Sequence, residues 1–260
     1  MIKFVDSEAE IQNYRSACGF DPVYGTINAS LERLYRQNGQ GFFWNIYDHD
    51  GKCVGNLSFV KDGFTLCTLK KVTEETAEFI RFWGSFQSVK STACNAEILY
   101  NYFQKNLNIK IGQILIMPEI MPNFKKSKFD CKVSDIHSFY RCLCRSFNLD
   151  DTPSAYREFY YDMHYRVRHH ETALYGVFYQ NTPMSVCEVL AENQQSVVLG
   201  ALCTDPLFRN QGGASALLSC VREQYRGKTC FVLSENAEST LFYLHNGCIP
   251  YHDLWAELTV

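Results

Sequence analysis

A polar stretch at residues 204–213 has the residue types and spacing of an anion-binding loop. It contains Arg209, Gly212 and Gly213, and an alanine- and leucine-rich segment with helical spacing follows at once. The first N–H groups of a helix have no intrahelical partners, and the helix dipole places partial positive charge there. Glycines let the backbone approach an anion closely, and an arginine suits phosphate oxygens. The stretch therefore predicts a phosphate-binding loop.

Two common nucleotide loops do not fit this stretch. No lysine followed by serine or threonine comes after the glycines, as a Walker loop requires, and no G-x-G-x-x-G fingerprint is present. A module that binds ATP or a dinucleotide through this loop remains an alternative, and the missing lysine argues against it.

The elements around the loop alternate between strands and helices. Apolar or alternating runs predict strands at residues 172–179, 184–190, 197–203, 229–233 and 248–258. Helical spacing predicts helices at 135–147, 154–168, 214–225 and 235–247. The loop thus connects a buried strand to an amphipathic helix, and the order predicts an α+β fold with a mixed, mostly antiparallel sheet.

The first half of the chain shows the same order of elements. Helices are predicted at 7–18, 29–37, 74–83 and 96–105, and strands at 41–47, 53–60, 64–69, 85–89 and 109–117. The pattern favours an internal repeat of architecture, although α+β chains also alternate in this way by coincidence. Residues 117–128 contain prolines and a basic run, which is typical of a linker.

The loop and its surroundings resemble the GNAT superfamily of N-acetyltransferases. R209-N-Q-G-G-A214 fits that family's [QR]-x-x-G-x-[GA] signature, and Asn236, Tyr243 and Gly247 follow with the family's spacing. Cys248 stands where phenylalanine is usual. The resemblance covers roughly residues 129–260 and implies a GNAT domain there that binds acetyl-CoA. Together with the repeated order of elements in the first half, it predicts a degenerate GNAT-like domain at residues 1–120, so that two such folds would occur in tandem.

The resemblance also implies the residues that bind acetyl-CoA. Backbone groups of the strand before the loop would pair with the pantetheine arm, and the loop and helix start would hold the phosphates. The cofactor-binding residues implied are Leu202, Cys203, Thr204, Arg209, Asn210, Gln211, Gly212, Gly213, Ala214, Ser215, Asn236 and Tyr243. Tyr243 would also protonate the departing thiolate, and a tyrosine is acidic enough for that task.

The general base is less evident, because the strand before the loop contains no carboxylate. Glu188 on the preceding predicted strand is the candidate, and an outward-facing surface charge is the alternative. Cys203 could form an acyl-enzyme, but a buried core cysteine is the favoured interpretation. The corresponding loop of the first half has no glycine and carries Glu74 and Glu75, which would repel a pyrophosphate. That half could instead shape the acceptor site or mediate dimerisation.

The composition excludes several classes of protein. With 46% hydrophobic and 20% charged residues the chain is globular, and a net charge of −3 gives no general attraction to nucleic acid or anionic lipid. The twelve cysteines lie singly in apolar runs without metal-ligand spacing, which predicts free thiols and no metal. No signal peptide or membrane span is evident, so a cytoplasmic location is expected.

The sequence therefore favours an acetyl-CoA-dependent N-acetyltransferase that acts on a primary amine by direct attack. Its partners would be acetyl-CoA and an amine-bearing acceptor, without nucleic acid or membrane, and a homodimer is compatible with the sequence. The alternative is a catalytically inactive sensor or interaction protein that still binds coenzyme A.

Overall fold

The computed structural model describes residues 1–103, 107–121 and 129–260. The predicted linker at 117–128 lies outside the described residues beyond Met121. In chain order the elements are β1 (Ile2–Phe4), α1 (Glu8–Ala17), α2 (Tyr24–Tyr35), β2 (Gly41–Tyr47), β3 (Cys53–Val60), β4 (Gly63–Thr68), α3 (Glu74–Trp83), β5 (Ser88–Thr92), α4 (Ala93–Phe103), β6 (Asn108–Ile116), β7 (Asp130–Val133), α5 (Ile136–Phe147), α6 (Pro153–Arg168), β8 (Ala173–Tyr179), β9 (Thr182–Glu192), β10 (Ser196–Thr204), α7 (Gly213–Gln224), β11 (Thr229–Ser234), α8 (Ala237–His245) and β12 (Ile249–Thr259).

Most predicted elements are confirmed, with exceptions that have a local cause. β1 and β7 were not predicted, because each is a strand of three or four residues without an apolar run. α2 begins at Tyr24 rather than at residue 29, since Gly25 and the β-branched residues after it weaken the helical pattern. The predicted fold class, a mixed and mostly antiparallel sheet flanked by helices, is confirmed.

The chain divides into two compact units. Unit 1 comprises Met1–Ile114, Leu233–Ala237 and Pro250–Val260, and unit 2 comprises Leu115–Val232 and Glu238–Ile249. The prediction of a degenerate domain at residues 1–120 and an acetyl-CoA-binding domain at 129–260 stays a prediction.

Unit 1 is a sheet with the strand order β1-β2-β3-β4-β5-β12-β6. β4 and β5 are parallel, and the pairs β1–β2, β2–β3, β3–β4 and β5–β12 are antiparallel. α3 and α4 pack in an apolar cluster in which Leu99 of α4 joins Trp44 of β2 and Phe64 of β4. The polar side chains of Asn28 and Asn56 are also fully buried and hydrogen-bonded to each other.

Unit 2 has the strand order β11-β10-β9-β8-β7. β10 and β11 are parallel, and the other neighbours are antiparallel. Alternation along β9 sends Cys187 to one face, where α7 and α8 pack, and Val186 to the other, where α5 and α6 pack. The two helical layers therefore enclose β9 and β10, the strands that lead to the predicted phosphate loop.

A disulfide in unit 2 corrects the prediction that all the cysteines are free. Cys131 of β7 is bonded to Cys220 of α7, with 6.6 Å between their Cα atoms and 89 residues between them in sequence. The other ten cysteines are free. This pair could not be predicted from the sequence, because β7 was not predicted and only the fold brings the edge strand next to α7. Reduced thiols were one basis for the cytoplasmic expectation, which stays a prediction.

Across the described residues, no helix combines the length and apolar character needed to cross a membrane.

Candidate cofactor-binding site

β10 separates from β11 partway along its length. The two strands pair from Ser196 opposite Thr229 to Leu199 opposite Val232, while β10 continues to Thr204 paired with β9 alone. The register with β9 shifts between Leu199 and Leu202, which marks a bulge at residues 200–201. The pairing of β10 with β11 thus ends five residues before β10 does. An extended chain of amide groups could pair with such a strand edge.

The loop after β10 leads directly to the start of α7. Asp205 caps a short 3-10 helix at Pro206–Phe208, where its Oδ1 accepts a hydrogen bond of 3.0 Å from the Leu207 amide. Asn210 and Gly212 have positive φ values of 61° and 84°. Gly212 is the N-cap residue of α7, makes no side-chain capping bond, and no acidic residue lies in the first turn. Because the N-cap residue is a glycine, no N-cap side chain covers the first backbone amides of α7.

The two adjacent glycines serve different physical purposes. Gly212 is in the left-handed region, but a Cβ added there would meet no atom within 4 Å. A Cβ at Gly213 would lie 2.7 Å from Ser185 Oγ on β9. That hydroxyl is also hydrogen-bonded over 2.8 Å to the Thr204 hydroxyl at the end of β10. Gly212 is needed for its backbone conformation, and Gly213 lets α7 approach β9 closely.

Two guanidinium groups connect the loop to α5. Arg209 Nη2 donates a hydrogen bond of 3.2 Å to the Ser146 carbonyl oxygen. Arg145 Nη1 lies 3.0 Å from Oδ2 of Asp205, which is buried. Gln211, another predicted ligand, donates to the Leu207 carbonyl oxygen over 3.4 Å. Arg145 was not predicted from the sequence, because a basic residue in the last turn of a helix is common and its partner is distant in sequence.

The N-terminus of α5 is fixed by a side-chain cap. Asp135 Oδ1 accepts a hydrogen bond of 2.8 Å from the Ser138 amide. Burial alone would raise the pKa of Asp135, but the hydrogen bonds from the Ser138 amide and hydroxyl outweigh it and lower this pKa. The cap therefore anchors the helix that holds Arg145.

Glu188 lies where the bulge in β10 leaves room for it. The residue is buried, and its Oε1 is 2.8 Å from Arg166 Nη1 and 3.4 Å from the Thr172 hydroxyl oxygen, which donates a shorter bond of 2.7 Å to the Val189 carbonyl oxygen. A Cβ added at Gly200 would be only 3.0 Å from Glu188 Oε2. The carboxylate on β9 thus occupies space next to β10 that a side chain at residue 200 would need. Glu188 is not the outward-facing surface charge considered as its alternative, while its role as a base stays a prediction.

Tyr243 and Asn236 are placed on or beside α8. Tyr243 is 6% exposed, belongs to the apolar cluster that includes Leu217 and Leu218 of α7, and has its ring centroid 5.3 Å from that of Phe242. Asn236 precedes α8 and accepts from the Ser234 hydroxyl at its carbonyl oxygen over 3.3 Å. Asn236 belongs to the segment grouped with unit 1, and its role in the site stays a prediction.

Cys203 has the surroundings of a core residue. It is buried in the cluster that includes Phe139, Met163 and Val186. A hydrogen bond with the Cys142 thiol, together with burial, raises the pKa of Cys203. Because the thiolate is the nucleophilic form of cysteine, this environment disfavours an acyl-enzyme at Cys203.

The corresponding loop of unit 1 is occupied by a side chain. Pairing between β4 and β5 ends at Thr65 opposite Lys90, and β4 continues to Thr68. Asn95 of α4 accepts a hydrogen bond of 2.9 Å from the Val72 amide and donates one of 2.8 Å to the Thr68 hydroxyl. Thr73 caps α3, and two glutamates follow it in the first turn. The Val72 amide, a loop amide that could face an anion, is thus already hydrogen-bonded to the Asn95 side chain.

Comparison with known proteins relates residues 136–247 to a known family. Residues 136–247 match the family model described as the acetyltransferase (GNAT) family. These residues form a GNAT acetyltransferase domain. The domain contains β10, the loop at 205–212 and α7 in the order described above. A comparison with curated proteins gave no significant match.

Solved structures extend the similarity of fold to the whole chain. A GNAT-family acetyltransferase from Colwellia psychrerythraea is 13% identical, with a TM-score of 0.63 and coverage of 100% of both chains. A tandem GNAT protein from the clavulanic acid biosynthesis pathway is 11% identical, with a TM-score of 0.63 and coverage of 100% of this chain and 98% of that chain. A Drosophila protein is 12% identical, with a TM-score of 0.65 and the same coverage. At these identities the likeness shows the fold, a mixed sheet flanked by helices, and it is consistent with two domains.

Within residues 1–103, 107–121 and 129–260, no group of three or more His, Cys, Asp or Glu side chains could hold a metal ion.

Proposed function

We propose that the protein is an acetyl-CoA-dependent N-acetyltransferase that transfers an acetyl group to a primary amine of its acceptor by direct attack. One observation carries the proposal: β10 separates from β11 and leads through a positive-φ loop into a helix without a side-chain cap. That geometry offers a strand edge for an amide-containing arm and a helix N-terminus for phosphates, which are the two chemical parts of coenzyme A.

The cofactor-binding roles follow from this geometry. Leu202, Cys203 and Thr204 present the unpaired edge of β10 to the pantetheine arm. The phosphates bind at the loop and the first turn of α7, through Arg209, Asn210, Gln211, Gly212, Gly213, Ala214 and Ser215. Asn236 completes the cofactor contacts.

The chemistry needs a proton acceptor for the amine and a proton donor for the thiolate. Glu188 supplies the acceptor, because its carboxylate lies beside Gly200 at the bulge of β10. The ammonium loses a proton, the neutral amine attacks the thioester carbonyl carbon, and the carbon–sulfur bond breaks. Tyr243 donates its hydroxyl proton to the departing coenzyme A thiolate, and the resulting phenolate regains a proton when the nitrogen gives up its second proton to form the neutral amide.

Residues 1–120 are proposed to be a degenerate GNAT-like domain that does not bind the cofactor. The Asn95 contacts and the two glutamates at the start of α3 support this proposal. The domain would shape the acceptor site or mediate a homodimer, and we expect the protein in the cytoplasm.

Thiol release from acetyl-CoA tests the proposal directly. Wild-type protein is incubated with acetyl-CoA and a panel of spermidine, phenethylamine, glutamate and a lysine-containing peptide, and free coenzyme A is measured with a thiol reagent. Calorimetry measures coenzyme A binding in parallel. Binding without release above the uncatalysed rate would instead indicate a coenzyme A sensor, and a thermal shift with ATP or NAD alone would indicate a nucleotide-binding module.

Substitutions separate the two parts of the site. Tyr243→Phe should lower kcat by roughly 10²-fold or more while coenzyme A affinity stays nearly constant, since only proton donation is lost. Unchanged turnover would remove Tyr243 from the mechanism. Gly212→Glu should abolish binding, because it places a negative charge at the helix start, where the phosphates would bind.

A further inference from the structure

The carboxylate of Glu188 is held asymmetrically. Its Oε1 is 2.8 Å from Arg166 Nη1 and 3.4 Å from the Thr172 hydroxyl oxygen, which donates its shorter hydrogen bond of 2.7 Å to the Val189 carbonyl oxygen. Its Oε2 faces Gly200, with 3.0 Å between it and the position of an added Cβ. One oxygen is thus fixed and the other is directed at the bulge of β10.

Arg166 is itself held in place by a second contact. Its Nη2 donates a hydrogen bond of 2.9 Å to the Leu190 carbonyl oxygen on β9. Side-chain exposure is 14% for Arg166 and 11% for Glu188, so the pair is largely shielded from water. A guanidinium bonded to both a side chain and the backbone of β9 restricts the rotation of the carboxylate it contacts.

We infer that Arg166 is a positioning residue for the proton transfer. This inference rests on the proposed function. Arg166 fixes Oε1 and balances the charge of the buried carboxylate, so that Oε2 accepts the proton from the acceptor ammonium at Gly200. In that step an N–H bond breaks and an O–H bond forms on Oε2. The nitrogen lone pair becomes free to attack, and the proton later passes from Glu188 to solvent.

Gly200 has a specific place in this arrangement. A side chain at residue 200 would contact Oε2 and close the space between the carboxylate and the edge of β10. β10, the strand that would hold the thioester arm, carries no carboxylate of its own. Gly200 on β10 leaves space for the ion-paired carboxylate of Glu188 on β9, and this places a base beside β10.

A double-mutant cycle tests whether Arg166 acts through Glu188. The variants are Arg166→Met, Glu188→Gln and the double variant, and Arg166→Lys serves as the conservative variant. For each variant, kcat and the KM for acetyl-CoA are measured by thiol release with the best amine of the panel. If no amine of the panel is a substrate, hydrolysis of acetyl-CoA is measured instead. Calorimetry with coenzyme A and thermal unfolding show whether the cofactor site and the fold are intact.

We expect Glu188→Gln to lower kcat by about 10²-fold, the range of a positioned general base. Arg166→Met should lower kcat by about tenfold or more with little change in KM, and should have less than about a twofold effect in the Glu188→Gln background. Arg166→Lys should restore part of kcat, since it keeps the charge but not both hydrogen bonds.

Equal losses of kcat from Arg166→Met in both backgrounds would overturn the inference, since Arg166 would then only support the fold. Removing one partner of a buried ion pair can unfold the protein. If Arg166→Met does not fold, Arg166→Lys replaces it in the cycle, and its loss of kcat must again disappear in the Glu188→Gln background. A wild-type protein without thiol release refutes the proposed function itself, whereas an active Glu188→Gln variant refutes only the assignment of the base and its positioning residue.

Discussion

Replacing Gly213 by alanine tests whether α7 must lie directly on β9 for coenzyme A to bind. The new Cβ would be 2.7 Å from Ser185 Oγ, which is well inside the 3.4 Å at which ordinary contact begins. The clash can be relieved by turning the Ser185 hydroxyl away from Thr204, at a cost of about 1 kcal/mol for the hydrogen bond. It can also be relieved by a shift of α7, at about 1–3 kcal/mol for overpacking.

We therefore expect Gly213→Ala to lower the free energy of unfolding by about 1–2 kcal/mol. Any displacement of α7 also moves the amides that would contact the phosphates, so the Kd for coenzyme A should rise about tenfold, equivalent to about 1.4 kcal/mol. Urea denaturation measures the first quantity and calorimetry the second.

Ser185→Ala provides the matched background for this experiment. It removes the clashing Oγ, and the next side-chain atom, Ser185 Cβ, is 3.7 Å from the new methyl group, an ordinary contact. In the Ser185→Ala background, Gly213→Ala should therefore no longer lower the free energy of unfolding through this clash. Gly212→Ala is the control, because it costs about 1 kcal/mol through its left-handed backbone whatever residue is at 185. An equal cost of Gly213→Ala in both backgrounds would refute the steric explanation.

Two further predictions concern the elements that support the site. Asp135→Ala should lower the free energy of unfolding by about 1 kcal/mol at pH 7, because a helix cap is lost. Because the pKa of Asp135 is lowered in the folded state, its ionised carboxylate contributes to stability fully above the carboxyl pKa of the unfolded chain, about 3.9. That contribution to stability is lost as the pH falls through the pKa of Asp135 in the folded state. The gap between wild type and variant, followed by urea denaturation, should therefore narrow below pH 4, and a constant gap would contradict this. Cys220→Ser should cost up to about 4 kcal/mol, given the 89 residues between Cys131 and Cys220. Dithiothreitol should destabilise the wild type by a similar amount and leave the variant unchanged, and a wild type insensitive to the reductant would show that the bond contributes nothing.

The parts of the site that sequence could predict are those determined locally. The apolar run of β10, the polar loop and the amphipathic α7 are consecutive in the chain, and each has its own period or backbone requirement. The prediction of a helix beginning at the glycine pair is confirmed by α7, which starts at Gly213. Gly213 itself was interpreted as close approach to an anion, and its contact with Ser185 became evident only from the fold.

The contacts that sequence could not predict join residues from different elements. The Arg166–Glu188 pair links a helix to a strand, and nothing in the spacing of the two residues distinguishes them from surface charges. Cys131 and Cys220 likewise depend on a four-residue edge strand with little apolar character. In both cases the deciding information is the packing of one element on another, which single-element periodicity does not contain.

The strand β12 has a consequence for how the chain can fold. Residues Pro250–Val260 belong to unit 1, where Trp255 to Thr259 pair with β5. Unit 1 therefore lacks one of its inner strands until residues 250–260 have been synthesised, well after residues 1–114. A fragment ending at residue 114 would leave β5 as an open edge that invites aggregation. Deletion of residues 250–260 should accordingly destabilise the fold of residues 1–114.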